Sequence, residues 1–251
     1  MARTVNEAGY AAKRDDILDA AQRLIAAKGF EEMTIQGLLD DLGVSKGALY
    51  HYFDSKQAIL DGLTDRILQQ VELLLIPVVH DTSVGAIDKL QQFFAALVQW
   101  KTGHKPFSLA LMRMWYTDEN AVLRQKLRET RIKRFGQLLE TILRQGREQG
   151  TMSVDYPDQS GRVILAVVED LSDTLARLLL SDQVNPENAT YVDHAVAAST
   201  EAVERIVGLP QHSLSLVGAE ALREWMGPTL ARPRRAGRSR SATVRHGKGE
   251  M

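Results

Sequence analysis

The sequence predicts an all-α protein. Apolar residues recur at spacings of three and four along nearly the whole chain, and no stretch alternates apolar and polar residues as a half-buried strand would. Capping residues, Gly or Pro separate one periodic segment from the next. The first segment sets Ile17, Ala20, Ala21, Leu24 and Ile25 on one face and stops at Lys28-Gly29. Thr34 stands where it would cap a short helix carrying Ile35, Leu38 and Leu39, which ends at Leu42-Gly43. Ser45 can cap a third helix running to Phe53, with Leu49 and Phe53 a turn apart and facing inward. Asp54-Ser55-Lys56-Gln57 reads as a capping box, with the acid at the cap and Gln three residues on. The longer helix it opens carries Ile59, Leu60, Leu63, Ile67, Val71 and Leu74, and Pro77 is expected to close it. Further helices are expected near 84–102, 105–116, 119–147, 158–182, 187–208 and 214–226. Gly146 and Gly150 end one of these, Pro157-Asp158 opens another, Asn185-Pro186 supplies a cap with Pro in the first turn, and Gly208 and Pro210 stop the helix that follows.

Composition narrows the function classes. The 251 residues hold 31 basic and 32 acidic side chains, a formal charge of −1, with 44% hydrophobic and 25% charged residues. That is the balance of a soluble globular chain long enough to bury a proper core. The absence of Cys excludes a disulfide framework, a thiol nucleophile and Cys-ligated metals. The apolar runs at 71–79 and 163–168 are far shorter than the ~18 residues of a membrane span. Residues 1–16 lack the apolar core of a signal peptide, so a cytoplasmic protein without a membrane partner is expected. The six His are scattered singly, and there is no Gly-rich phosphate loop or Ser-centred nucleophile elbow. No catalytic residue, metal or cofactor is expected, and an enzyme is disfavoured.

Residues 34–53, TIQGLLDDLGVSKGALYHYF, form one unit: a short helix, a tight turn at Gly43-Val44-Ser45 and a second short helix, which is a helix-turn-helix. Gly43 supplies the cramped backbone of the turn. Two such helices cannot bury a core alone, and the Ile17 to Ile25 face is available to cover them. The second helix must show small or polar residues outward to enter a major groove, and Ser45, Lys46, Gly47, Ala48, Tyr50 and His51 do so.

The stretch Thr34-Ile35…Leu42-Gly43-Val44-Ser45-Lys46-Gly47-Ala48-Leu49-Tyr50-His51-Tyr52-Phe53-Asp54-Ser55-Lys56 resembles the DNA-binding signature of the TetR family of bacterial transcriptional regulators. The preceding helix, with Ala20-Ala21…Leu24-Ile25…Gly29-Phe30, matches as well, and the likeness spans roughly residues 13–60. It implies an N-terminal arm and three-helix DNA-binding domain at 1–54, and a larger helical effector-binding and dimerisation domain at 55–230. By the same resemblance, Thr34 caps the second helix and points its amide end at a phosphate. Ser45 and Lys46 open the recognition helix and reach phosphates or base edges. Gly47 and Ala48 permit close approach, with Ala48 against a thymine methyl. Tyr50, His51 and Tyr52 lie along the backbone, Lys56 pairs with another phosphate, and Leu49 and Phe53 are core.

The last two long helices are the expected homodimer interface, by resemblance an antiparallel four-helix bundle. Val163, Val167, Leu171, Leu175 and Leu178 form one stripe; Val192, Val196, Ser199, Val203 and Ile206 form the other. Small residues Ala195, Ala198 and Ala202 would allow close packing, although the same stripes would also serve as core within one protomer. Phe94, Trp100, Phe107, Met112, Trp115 and Tyr116, with His104, Glu169 and Asp173 as polar partners, fit an apolar pocket for a small-molecule effector, and equally fit plain core. The expected function is a ligand-responsive homodimeric repressor, released from a palindromic double-stranded DNA operator by its effector through a pivot of the fourth helix.

One feature runs against simple electrostatics. Residues 1–54 hold six basic side chains and nine acidic ones, a net of −3. A nucleic-acid-binding domain is usually basic, so a helical protein-interaction module with a repurposed helix-turn-helix is the alternative. Residues 231–251 carry seven Lys or Arg against Glu250 alone and read as a disordered basic tail, either solvating or an electrostatic arm for nucleic acid.

Overall fold

The computed structural model describes residues 2–181 and 186–226. Ten α-helices and no strand are present among them: α1 (Ala2–Lys28), α2 (Ile35–Leu42), α3 (Lys46–Tyr50), α4 (Lys56–His80), α5 (Ala86–Gly103), α6 (Lys105–Trp115), α7 (Ala121–Glu148), α8 (Pro157–Leu180), α9 (Pro186–Val207) and α10 (Ala219–Met226). A 3-10 turn at Asp118–Asn120 leads into α7. The basic tail at 231–251 and the cap assigned to Asn185 lie outside the described residues.

The observed boundaries correct several expectations. α1 begins fifteen residues ahead of Ile17; residues 7–16 are exposed apart from the half-buried Arg14, so no apolar face marks these turns in the sequence. α3 ends at Tyr50 rather than Phe53; the Tyr52 and Phe53 amides both converge on the Leu49 carbonyl as the chain turns away. The cap of α4 is Ser55, not Asp54. Its Oγ accepts from the Ala58 amide at 3.0 Å and donates to Asp54 Oδ1 at 3.1 Å, while Gln57 turns forward to Asp61. Pro77 does not close α4, which continues to His80. Pro77 and Leu73 sit on the exposed side, so water can satisfy the Leu73 carbonyl that lacks its helical donor. α10 starts at Ala219 instead of 214, because Leu214 and Leu216 leave helical geometry to plug the core.

Two apolar cores organise the chain. The first joins Leu18 and Ile25 of α1, Leu38 of α2 and Leu49 of α3 to Ile59 and Leu63 of α4, and α6 seals it with Phe107, Leu111 and Met114. The helix-turn-helix therefore borrows its floor from residues well beyond 54. The second core gathers Leu75, Phe93, Phe94, Leu139, Ile164 and Val203 from α4, α5, α7, α8 and α9. α4 runs through both and is pinned at intervals. Arg66 donates to Asp19 at 2.7 Å and to Gln22 at 2.8 Å on α1, and Arg134 of α7 grips both carboxylate oxygens of Glu72. At its C-terminus the buried Lys89 ammonium donates to the Val79 carbonyl and to Gln145, each at 2.7 Å, which satisfies an orphan carbonyl of the last turn. α7 and α8 run antiparallel and meet where Gly161 faces Gly136; a Cβ on Gly161 would stand 2.9 Å from the Gly136 carbonyl oxygen.

Candidate nucleic-acid interface and ligand cavity

The helix-turn-helix is built by caps and one left-handed turn. Thr34 Oγ1 accepts from the Gly37 amide at 3.0 Å, and Ser45 Oγ accepts from the Ala48 amide at 3.3 Å. Each hydroxyl keeps its own proton to donate outward, to a phosphate for example. Gly43 ends α2 at φ 63°, a conformation in which its amide still reaches the Leu39 carbonyl and which a side chain would strain. The turn rotates α3 so that Leu49 is fully buried while Ser45, Lys46, Gly47, Ala48, Tyr50 and His51 stay exposed. The Lys46 ammonium lies 5.6 Å from the Tyr50 ring centre and forms no ion pair among the described residues. Several carboxylates of the acidic first 54 residues are already paired: Asp16 with Lys13, Asp41 with Arg23 and Asp19 with Arg66.

Two residues expected at a nucleic-acid surface are placed differently. Tyr52 is half-buried against the N-terminal core, its ring 4.7 Å from that of Tyr10. Lys56 folds back over the Phe30 ring and donates to the Glu31 carbonyl at 3.1 Å, which ties it to the loop before α2. Tyr10, which the sequence did not single out, also meets His51 edge-on at 5.7 Å. The long α1 thus buttresses the end of the recognition helix. Only the extension of α1 toward the N-terminus brings Tyr10 there, and no local pattern signals it.

A cavity of about 230 Å³ opens between the central helices. Its walls are mostly apolar. Phe94, Trp100, Met112, Trp115, Tyr116, Glu169 and Asp173 line it as expected. Phe107 and His104 do not. Phe107 is buried in the N-terminal core. His104 links α5 to α6, with its ring stacked on Trp100 and its Nδ1 at 2.9 Å from the Trp100 carbonyl oxygen. α4 contributes Thr64, Ile67, Leu68 and Val71, and α10 covers one side, held by Trp225 donating to Thr102 at 2.8 Å.

The polar end of the cavity is a cluster from α5, α7 and α8. Arg131 clamps Glu169 through two hydrogen bonds, at 2.8 and 2.5 Å. Asp173 accepts from the Tyr116 hydroxyl at 2.5 Å and pairs with Arg128 at 3.7 Å. Burial and the hydrogen bond to Asp173 push the Tyr116 phenol above the ordinary tyrosine range. Lys101 donates to Ser172 Oγ at 3.4 Å and has no carboxylate partner among the described residues. The residue is exposed overall and borders the cavity, with neighbouring protein atoms crowding its ammonium. That desolvation pushes its pKa down; Glu169 opposes the shift, Arg131 adds to it and Asp173 opposes it. Lys101, Arg131 and Ser172 escaped the sequence reading because their pairings join positions tens of residues apart, and Arg124 because it reaches back to Trp115 across the turn between two helices.

The two stripes expected at a dimer interface divide. Leu171 and Val203 are buried in the protomer's own second core and have nothing left to offer a partner, a correction to that part of the assignment. Val167, Leu175, Val196 and Ile206 are partly buried against the same core, Leu178 packs on a small cluster with Val192 and Met226, and Ser199 is half-buried. Ala198 faces outward and Val163 is 46% exposed.

Comparison with known proteins points the same way as the N-terminal geometry. Residues 17–63 match the family described as bacterial regulatory proteins, tetR family. The chain is 26% identical over 147 residues to the HTH-type transcriptional repressor KstR2 of Mycobacterium tuberculosis, covering 57% of this chain and 70% of that protein. Its fold is similar to the crystal structure of a transcriptional regulator from Cytophaga hutchinsonii, with TM-score 0.58, 13% identity and coverage of 78% of this chain and 98% of that one. It is also similar to reduced NemR of E. coli, with TM-score 0.53, 19% identity and coverage of 78% and 98%.

Proposed function

This chain belongs to the TetR family of bacterial regulatory proteins, and from that premise we propose that it is a homodimeric repressor whose operator affinity is set by a small molecule bound in the central cavity. A transcription regulator that binds DNA, not an enzyme, is the coarse statement the family supports. The observation that carries the finer reading is the outward face of α3. Lys46, Gly47, Ala48, Tyr50 and His51 are exposed together while Leu49 and Phe53 anchor the helix from behind. A small, polar, protruding helix end of this kind fits a major groove, with Lys46 and the Tyr50 hydroxyl aimed at backbone or base edges.

One half-site specifies little, so the reading requires two copies with recognition helices about 34–36 Å apart. The exposed small-residue face of α9 at Ala198 and the outer face of α8 at Val163 are the surfaces proposed to pair. The switch runs through α4. Its first turns, at Ile59 and Leu63, are core of the DNA-binding unit; its middle, at Ile67 and Val71, is cavity wall; and Glu72 is clamped to α7. A ligand that fits the cavity in only one arrangement of α4 and α7 biases the recognition helices by its differential affinity. A coupling of ~1–3 kcal/mol shifts operator affinity ~5–150-fold.

Selection of bound sequences from a random duplex pool at two salt concentrations tests this. A palindromic consensus with half-sites one turn apart is the expected result. Binding without consensus that vanishes with salt would leave the interaction-module reading, which the net charge of −3 in residues 1–54 favours. The basic residues 231–251 are proposed to add non-specific affinity only, so their removal is expected to flatten the salt dependence without changing the consensus.

A further inference from the structure

The groups lining the cavity are unevenly spent. Its two carboxylates are committed, Glu169 to the Arg131 fork and Asp173 to the Tyr116 hydroxyl and Arg128. Among the described residues, two cations remain without a carboxylate. Lys101 touches only a serine oxygen, and Arg124 donates to the Trp115 carbonyl and lies 5.1 Å from the centre of the Tyr116 ring. Three cations, Lys101, Arg124 and Arg131, line the cavity against the two carboxylates Glu169 and Asp173, and Arg128 backs Asp173. A third donor is also idle: Trp115 Nε1, in the cavity wall, is buried without any hydrogen-bond partner. The unused nitrogens named here are all donors, while the hydroxyls of Thr64 and Ser172 can act either way. A buried donor without an acceptor is costly, and a ligand that brings acceptors and negative charge would satisfy Trp115 Nε1 and pair the cations at the same end. The remaining wall is apolar, built from residues such as Phe94, Leu97, Val168 and Leu222. The volume, about 230 Å³, lies below the ~300–1,000 Å³ usual for ligand pockets, which sets a compact body.

We propose that this cavity takes a compact apolar carboxylic acid in its ionised form, with the carboxylate on Lys101 and the hydrocarbon body against the apolar walls. The inference rests on the sensor reading of the same cavity and deepens it, but its own test is binding, and operator DNA enters only to tell the two readings apart.

The experiment is calorimetric titration of the full-length protein at neutral pH with 2-naphthoate and decanoate, and with the primary amide and the primary amine of matching skeleton for each. Both acids are ionised there. The expected result is that at least one carboxylate binds tenfold or more tighter than its amide, and that neither amine binds measurably. Lys101→Met is expected to weaken the carboxylate by roughly 10- to 100-fold while leaving the amide within a few-fold, with unchanged helical circular dichroism as the folding control. Amides or amines that equal the acids, carboxylate affinity indifferent to Lys101→Met, or no binding by any of the six probes would each overturn the inference. The ranking of the six on the unaltered protein decides even if the variant fails to fold. Lys101-dependent carboxylate binding that leaves the operator complex intact would uphold the inference and count against the sensor reading. Operator release by an amine would do the reverse.

Discussion

In the proposed reading single side chains of α3 carry the recognition chemistry, and their exposure separates that role from folding. Tyr50 is 43% exposed and Lys46 forms no ion pair among the described residues, so neither supports the core. Tyr50→Ala and Lys46→Ala are therefore expected to lower operator affinity by about 1–3 kcal/mol each while thermal stability and subunit mass stay unchanged. Gel-shift titration beside a melting curve checks both, and normal operator binding by both variants would remove α3 as the reading element. In the cavity, Tyr116 supplies a pH signature. Its phenol titrates above the ordinary tyrosine range in the folded chain, because burial and the Asp173 hydrogen bond favour the protonated form. The stabilisation is complete below about pH 10, the unfolded value, and is lost as pH rises toward the folded pKa. Tyr116→Phe is expected to cost about 1.5–3 kcal/mol near neutrality, the range of a hydrogen bond to a charged group. Denaturant melts of the two proteins at rising pH should show that difference shrinking past pH 10.

At the scale of elements, close approach of helices is set by what is missing. α7 and α8 can touch only because Gly161 has no side chain, and its Cβ would meet the Gly136 backbone rather than a movable group. Gly161→Ala is expected to destabilise the fold by about 1–3 kcal/mol in spite of Ala's better helix propensity. Gly9→Ala, on the open face of α1 with nothing near its Cβ, is expected to gain up to about 1 kcal/mol. Comparing the two in thermal melts separates packing from propensity, and equal effects would sink the close-approach argument. Pro77 illustrates the reverse case: a residue read locally as a helix end is tolerated because its side of α4 faces solvent.

For the whole molecule, the proposed repressor has to be two-fold symmetric. Ala198 is exposed on α9, so a large cation there disturbs no protomer core. Ala198→Arg is expected to convert the protein to a folded monomer and to lower operator affinity at least tenfold, because each half-site then binds alone. Sedimentation analysis paired with gel shift reads both changes. A dimer that persists would move the interface to another face.

Local physics made much of this legible in the sequence. The periodicity at 17–25 and 163–178, the caps at Thr34 and Ser45, and the left-handed turn at Gly43 depend on neighbours within one turn, so the all-α fold and the helix-turn-helix could be read directly. Tertiary structure decided what depends on distant partners. It drew Phe107 from the expected pocket into the floor of the DNA-binding unit, turned Lys56 onto Phe30, and buried Leu171 and Val203 within the protomer. It also gathered Lys101, Arg131, Glu169 and Asp173, from three helices, at one end of a cavity. A residue's spacing tells which face of its own helix it occupies; which neighbour covers that face is fixed only when the helices pack, because burial and charge pairing are properties of the assembled surfaces.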